Sequence, residues 1–180
     1  MKNKKLEKVI IVVAAVFMLA AVWLVFHGNS GSSSRKNTLV REMPVADSAS
    51  EELNHGISLI DTFDNSVETI ENIAVVFTKF YREAHGKVTF ALLGGNEILY
   101  YETMDAEEIP EQHRVFFTPE KPLENMAGKK LTMIIYAYCE NYEGVGLMMK
   151  TEDVRDSQIK YGETEFDGTV CFSINISKDQ

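Results

Sequence analysis

The segment Leu131–Cys139, LTMIIYAYC, indicates the fold class of this chain. Side chains alternate between the two faces of a β-strand, so apolar residues at every second position predict a strand that turns one face to a core. Here the alternating apolar residues are Leu131, Met133, Ile135, Ala137 and Cys139. We therefore expect a strand whose last residue, Cys139, points into the core.

The same kind of pattern recurs through the chain from Gly56 onwards. Nine short runs are rich in Val, Ile, Phe, Tyr and Thr, and turn residues separate them, which is typical of an antiparallel sandwich or barrel. The runs are Ile57–Phe63, Ile70–Tyr81, Lys87–Leu93, Glu97–Thr103, His113–Thr118, Lys130–Glu140, Gly146–Thr151, Gln158–Tyr161 and Thr169–Ser177. The predicted fold class is all-β.

Turn residues support these boundaries. Ala84-His85-Gly86 is predicted to close one hairpin and Gly94-Gly95-Asn96 the next, because Gly and Asn accept the backbone angles of tight turns. Asp167-Gly168 precedes the last strand. The only helix expected after Gly56 is a turn or two within Asp105–Gln112, capped by Asp105. Before Gly56, a short helical turn is predicted at Asp47–Leu53.

Several segments, taken in order, resemble a known kind of domain. They are Asp61-Thr62-Phe63, Asn72–Thr78 (NIAVVFT), Gly86–Leu92 (GKVTFAL), Glu97-Ile98-Leu99, His113–Phe117 (HRVFF) and Gly128–Ile135 (GKKLTMII). In this order they resemble jelly-roll ectodomains, similar to galactose-binding-like and carbohydrate-binding modules, of Gram-positive membrane proteins linked to surface polysaccharide assembly. The resemblance covers about residues 56–176 and implies a jelly-roll-like sandwich at the cell surface. It supplies no catalytic residues.

The segment Val9–Phe26, VIIVVAAVFMLAAVWLVF, predicts a single membrane span. Its 18 residues carry no charge and would reach roughly 27 Å as a helix, close to the thickness of a bilayer core. Four lysines precede it, and such a flank normally stays in the cytoplasm. A cleaved secretory signal is the alternative, but its apolar region is usually shorter and ends at a small-x-small site. An uncleaved anchor is favoured, with everything after His27 outside the cytoplasm.

Composition divides the chain into four parts. They are a basic cytoplasmic head at 1–8, the transmembrane helix at 9–27, a flexible linker and connector at 28–55 that begins with GNSGSSSRKN, and an extracytoplasmic β-sandwich at 56–180. The formal net charge is −9, and the head contributes +3, so the remainder carries −12. Such an acidic surface argues against nucleic acid as a partner.

The two cysteines are predicted to be free thiols. Cys139 shares the apolar face of its strand, whereas Cys171 lies out of phase with the apolar face of Val170–Ser177. Side chains on opposite faces cannot form a disulfide unless the backbone moves.

One acidic cluster could hold an ion. Asp61, Asp64, Asn65 and Glu68 gather oxygen atoms near the first predicted turn, and Ca²⁺ prefers such ligands. The spacing matches no known calcium loop, so an acidic β-turn is the favoured interpretation. No other cofactor is predicted.

A binding surface is predicted from aromatic residues. Sugar rings stack on exposed aromatic side chains, and the candidates in or beside strands are Tyr101, Phe116, Tyr136, Tyr138, Tyr142 and Tyr161. Most are interpreted as core residues or cross-strand pairs. The loop positions Tyr142 and Tyr161 are selected as ligand-binding residues, with Asn141 and Glu143 as hydrogen-bonding neighbours.

The sequence contains no Gly-x-Ser-x-Gly, His-Glu-x-x-His or Cys-x-x-Cys motif and no phosphate-binding glycine-rich loop. We expect a non-catalytic binding or accessory module on the cell membrane, held by its N-terminal helix and facing cell-wall polysaccharide or surface glycan. The alternatives are a structural subunit of a membrane protein complex and a tethered enzyme acting on glycan, which would need two converging carboxylates.

Overall fold

The computed structural model describes residues 40–54, 57–140, 142–152 and 157–175, and within them the chain forms twelve β-strands and one 3₁₀ turn. The strands are β1 (Ser48–Ala49), β2 (Ser58–Asp64), β3 (Ile73–Thr78), β4 (Gly86–Gly94), β5 (Glu97–Asp105), β6 (Arg114–Phe117), β7 (Lys130–Cys139), β8 (Gly146–Lys150), β9 (Ser157–Tyr161), β10 (Thr164–Asp167), β11 (Thr169–Val170) and β12 (Phe172–Ile174). The 3₁₀ turn is Ala106–Glu108. The predicted all-β class is confirmed.

The strands form two six-stranded sheets, which we call sheet I and sheet II. Sheet II has the strand order β10-β9-β2-β7-β4-β5, and all neighbours are antiparallel. β7 lies near its middle and pairs with β2 on one side and β4 on the other. Its predicted apolar face, from Leu131 to Cys139 at every second residue, is buried. The alternation in the sequence therefore reports the inward face of this strand correctly.

Sheet I contains β1, β3, β6, β8, β11 and β12. β3 pairs with β6 and β12, and β8 pairs with β1 and β11. β3 and β8 pair with each other only where Phe77 and Thr78 face Leu147 and Gly146. The two sheets together form an antiparallel sandwich.

The C-terminal strands change partner at Cys171. The Cys171 N–H donates to the Met148 carbonyl on β8, and the Cys171 carbonyl accepts from the Val76 N–H on β3. One continuous run was predicted for Thr169–Ser177, but this change of partner divides it into β11 and β12. Residues 176–177 lie outside the described residues.

The core lies between the sheets and is rich in phenylalanine. Phe90 on β4 stacks on Phe117 of β6 with ring centroids 4.1 Å apart, and Phe63 on β2 meets Phe172 of β12 at 4.6 Å. Each pair joins sheet II to sheet I, and full burial of such a ring stabilises the fold by about 1.5–3 kcal/mol.

Residues 40–54, assigned from the sequence to the linker and connector, form an edge of sheet I. β1 pairs with β8, and the bridges Arg41–Ile174 and Leu53–Val145 extend this contact in both directions. The predicted helical turn at Asp47–Leu53 is wrong, because its backbone N–H groups donate to sheet I carbonyls at Met149, Leu147 and Val145.

Two other local predictions are wrong, and one further strand was missed. Ala84-His85-Gly86 closes no hairpin, since β3 and β4 belong to different sheets. The Asp105 side chain makes no cap hydrogen bond to the 3₁₀ turn and instead pairs with Lys87. Strand β10 was not expected, because Thr164–Asp167 (TEFD) is dominated by polar residues.

No helix among the described residues is long and apolar enough to cross a membrane. The predicted span, the cytoplasmic head and the tether lie outside those residues.

Candidate functional site

The outer side of sheet II carries a set of exposed tyrosines. β7 buries its apolar face, so the intervening side chains face solvent, and these include Tyr136 and Tyr138. Tyr138 is 61% exposed and Tyr136 is 37% exposed. Tyr101 on β5, 69% exposed, belongs to the same outer side because it lies opposite Ala91 of β4, which in turn lies opposite Ile134 of β7. We call this surface the tyrosine face.

The strand register arranges the tyrosine face in rows that cross β2, β7, β4 and β5. One row is Ile60, Ile134, Ala91 and Tyr101, and the rows on either side are Ser58, Tyr136, Thr89 and Thr103, and Thr62, Thr132, Leu93 and Ile98. None of these twelve residues is charged. The three rows thus form an uncharged patch about four strands wide on a chain whose formal net charge is −9.

A β-bulge keeps Ile98 and Tyr101 on the same side of β5. The register shifts between Leu92 and Leu93, so Leu93 pairs with Ile98 while Leu92 pairs with Tyr100. Leu99 and Tyr100 both pack against the core, and Ile98 is 61% exposed. Simple alternation could not have placed these two residues together, because they are three positions apart.

Two pairs of threonine hydroxyls lie on the same face as the rings. Thr89 and Thr103 place their Oγ1 atoms 2.8 Å apart, and Thr62 and Thr132 place theirs 3.3 Å apart. The Lys87–Asp105 ion pair borders the face beside Tyr138, which lies opposite Lys87. Rings and hydroxyls of this kind can contact a ligand that has both apolar and hydroxyl-bearing surfaces.

The predicted ligand residues lie elsewhere. Tyr142 is 79% exposed in the turn after β7 and has a positive φ of 68°. Glu143 holds this turn through its backbone, which donates to the Glu140 carbonyl and accepts from the His85 N–H. Asn141 lies outside the described residues.

Tyr161 points inward and packs against the core, and its hydroxyl donates to the Glu52 carbonyl at 2.9 Å. The Glu52 carboxylate accepts from the Gly144 N–H in the Tyr142 turn and from Arg82. Glu52 therefore links the elements that carry Tyr142 and Tyr161. The two rings do not share a surface environment, because the Tyr142 ring is exposed and the Tyr161 ring is half-buried.

The four predicted calcium ligands do not gather around one point. Asp61 and Asp64 lie three residues apart on β2, with Asp61 buried and Asp64 exposed. The Asn65 amide donates to the carbonyls of Val67 and Met126, and Glu68 is exposed. The part of the chain that the structure describes contains no group of three or more His, Cys, Asp or Glu side chains able to hold a metal ion. The calcium hypothesis has no support from this placement.

Asp61 instead connects the two sheets. Its carboxylate accepts from Ser157 Oγ at 2.6 Å, Thr169 Oγ1 at 2.9 Å and the Val170 N–H at 2.7 Å. Burial raises the pKa of Asp61, while these hydrogen bonds and the charge of Arg41 oppose the shift. The Arg41 guanidinium lies nearby, over the ring of Phe172 at 4.3 Å.

One histidine and one carboxylate pair at the surface. His85 Nδ1 lies 2.8 Å from Glu107 Oε1, and this hydrogen bond raises the pKa of His85, with further contributions from the charges of Glu107, Glu143 and Glu83. The pair is exposed and shares its end of the sandwich with the Tyr142 turn, since His85 N–H donates to Glu143.

Cys139 and Cys171 are both free, as predicted, and both are buried, although Cys171 lies out of phase with the apolar face expected for its run. Burial raises the pKa of Cys171 to about 11, so its thiol stays protonated at neutral pH.

The tyrosine face could have been found from parity alone in β7. Tyr136 and Tyr138 alternate with the buried residues of LTMIIYAYC, yet they were interpreted as core or cross-strand residues.

No protein-family model matches this chain, and no curated protein is significantly similar to it.

Proposed function

We propose that this chain is a membrane-anchored, non-catalytic binding module whose tyrosine face binds uncharged polysaccharide at the cell surface. The observation that carries the proposal is the exposure of Tyr101, Tyr136 and Tyr138 on one side of sheet II. Exposed aromatic rings that share a sheet face are costly to leave in water unless a ligand covers them.

The geometry of the face suits an extended ligand. Tyr136 and Tyr138 are two residues apart on β7, which separates their Cα atoms by roughly 7 Å along the strand. Tyr101 lies two strands away, about 10 Å across the sheet. A chain of sugar rings could therefore meet more than one tyrosine at once.

The absence of charge in the three rows favours a neutral polymer. An anionic polymer would be repelled by the overall negative charge of the chain and would find no basic residue within the rows. A neutral glycan presents ring faces to tyrosines and hydroxyls to the threonines beside them.

The order of the strands supports the jelly-roll description that the sequence resemblance implies. Leaving out the C-terminal additions β9 to β12, the sheets follow the orders β1-β8-β3-β6 and β2-β7-β4-β5. This is the order of a jelly roll, a fold common in carbohydrate-binding domains. The proposed anchor at Val9–Phe26 would hold the sandwich outside the cytoplasm.

The test uses the full chain in a mild detergent and measures its retardation in gels that contain a neutral or an acidic cell-wall polysaccharide. The double variant Tyr101→Ala/Tyr138→Ala should bind the neutral polymer more weakly by roughly fivefold or more, since each ring contributes about 0.5–1.5 kcal/mol. The matched control, Tyr81→Ala/Tyr142→Ala, removes two tyrosines of similar exposure from the loops and should bind normally. Equal retardation of both double variants would refute the proposal.

A second candidate function is suggested by the aliphatic residues of the face. Ile60, Ile134, Leu93 and Ile98 lie beside the rings on the same face, and protein interfaces combine aliphatic and tyrosine side chains in this way. The chain would then be a structural subunit of a membrane complex. A photo-reactive residue at Ile98 should in that case form one defined protein adduct in intact cells, whereas the polysaccharide proposal expects none.

A further inference from the structure

The β9–β10 hairpin creates a groove that the rest of the sandwich would not have. It extends sheet II beyond β2, and its inward side chains, Tyr161 and Phe166, line one wall of the groove. The opposite wall comes from the N-terminal edge at Ala49 and from Met149 on β8. The groove between them has a volume of about 440 Å³, within the usual range for small-ligand sites.

The inner wall of the groove carries apolar and aromatic side chains, and the hydroxyls of Tyr161 and Ser50 there are already paired. The Tyr161 hydroxyl donates to the Glu52 carbonyl, and Ser50 Oγ donates to the Glu51 carbonyl and accepts from the Leu147 N–H. A ligand in the groove would therefore meet two ring surfaces and the Met149 side chain, with few hydrogen-bonding groups left to satisfy.

Two carboxylates border the groove. Glu51 comes from the N-terminal edge and Glu163 from the hairpin turn, and both side chains are exposed. Within the described ranges neither carboxylate forms an ion pair. Burial is the main cause of the raised pKa of Tyr161, and the negative charges of Glu51 and Glu52 add to it, which places the Glu51 charge near that ring.

We propose that this groove binds an organic ammonium ion, a positively charged nitrogen on a short apolar stem. The stem would fill the space between Tyr161, Phe166 and Met149, and the cation would lie between the two carboxylates and against the ring faces. Aromatic rings attract cations through the negative potential of their faces, and the carboxylates add a charge that neutral or anionic ligands cannot use. This site is separate from the tyrosine face, because the groove opens on the inward side of the hairpin.

The test titrates the full chain with n-pentylammonium and follows the amide NMR signal of Gly162, which lines the groove. Size-matched 1-pentanol and pentanoate serve as the neutral and anionic comparisons. Pentylammonium should give a saturable shift, and pentanol and pentanoate should bind at least roughly fivefold more weakly. A shift that does not saturate, or equal binding of pentanol, would overturn the proposal.

Two charge-removing variants separate the groove from general surface charge. Glu51→Gln/Glu163→Gln should weaken pentylammonium binding by roughly five- to tenfold, because two partly exposed ion pairs are lost. Glu97→Gln/Glu120→Gln removes the same charge elsewhere on the surface and should leave binding unchanged. Equal losses in the two double variants would show that only overall charge matters and would contradict a built site.

Discussion

Asp61 is the residue on which the joining of the two sheets depends most. Its buried carboxylate accepts three hydrogen bonds, from Ser157 on sheet II and from Thr169 and Val170 on sheet I. Asp61→Ala would leave these three donors without their acceptor and Arg41 without a nearby negative charge. We expect the free energy of unfolding to fall by about 3–5 kcal/mol, measured by chemical denaturation. The control Asp64→Ala, at an exposed position on the same strand, should stay within about 0.5 kcal/mol of the wild type. Similar losses in both variants would refute this role.

His85 should make stability depend on pH. Its hydrogen bond to Glu107 raises the pKa of His85 above the ordinary value of 6.5, so the folded state binds the proton more tightly than the unfolded state. This contribution is fully present below the ordinary pKa and is lost as pH rises through the raised value. The difference in thermal midpoint between wild type and His85→Gln should therefore be largest near pH 5 and shrink towards pH 9. Glu107→Gln should show the same trend, and a difference that grows with pH would contradict the assignment.

Glycine at the start of β4 is required by the way this strand joins sheet II. Gly86 has φ = +124°, and a Cβ there would lie 2.4 Å from the Tyr138 carbonyl oxygen. Gly86→Ala should therefore lower the free energy of unfolding by more than about 3 kcal/mol. Gly95 in the β4–β5 turn also has a positive φ, but a Cβ there meets nothing within 4 Å, so Gly95→Ala should cost only about 1–2 kcal/mol. Denaturation curves compare the two, and equal costs would refute the steric argument.

Period-two patterns predicted the elements that have one buried face. β2, β4 and β7 alternate between buried and partly or fully exposed residues over most of their length, and their strands were expected from the sequence. The pairing of strands could not be predicted in the same way, because β3 is buried on nearly every residue and a continuous apolar run does not indicate its neighbours.

The candidate site was predicted less well than the fold. Loop position drew attention to Tyr142 and Tyr161, whereas the bulge at Leu99 and the pairing of β4 with both β5 and the distant β7 decide which tyrosines share a face. Such pairing joins residues that are far apart in the sequence, as Tyr101 and Tyr136 are. β1 was missed for a related reason, since Ser48–Ala49 has no apolar alternation and becomes a strand only because β8 offers it a free edge.

At the scale of the whole molecule, the segment before Gly56 is part of the folded sandwich. Arg41 covers the rings of Phe63 and Phe172, Leu53 is fully buried, and Asp47 accepts hydrogen bonds from Lys150, Thr151 and Glu152. A chain that begins at residue 56 loses this buried surface and these hydrogen bonds. Its free energy of unfolding should therefore be at least about 3 kcal/mol lower than that of a chain that begins at residue 38. Chemical denaturation measures the difference, and equal stability would show that residues 40–54 are only a tether.

The central claim, that the tyrosine face is the binding surface, is tested most directly by mapping where a polysaccharide touches the folded chain. The experiment records isoleucine methyl NMR signals during titration with a neutral cell-wall polysaccharide. These signals report on the tyrosine face and on the core in the same spectrum. The account predicts shifts or broadening at Ile60, Ile98 and Ile134 on the face, while the buried Ile109 and Ile159 change little. Unchanged signals at Ile60, Ile98 and Ile134 when the polymer is bound, with changes confined to residues beside the Tyr142 turn or the hairpin groove, would contradict it.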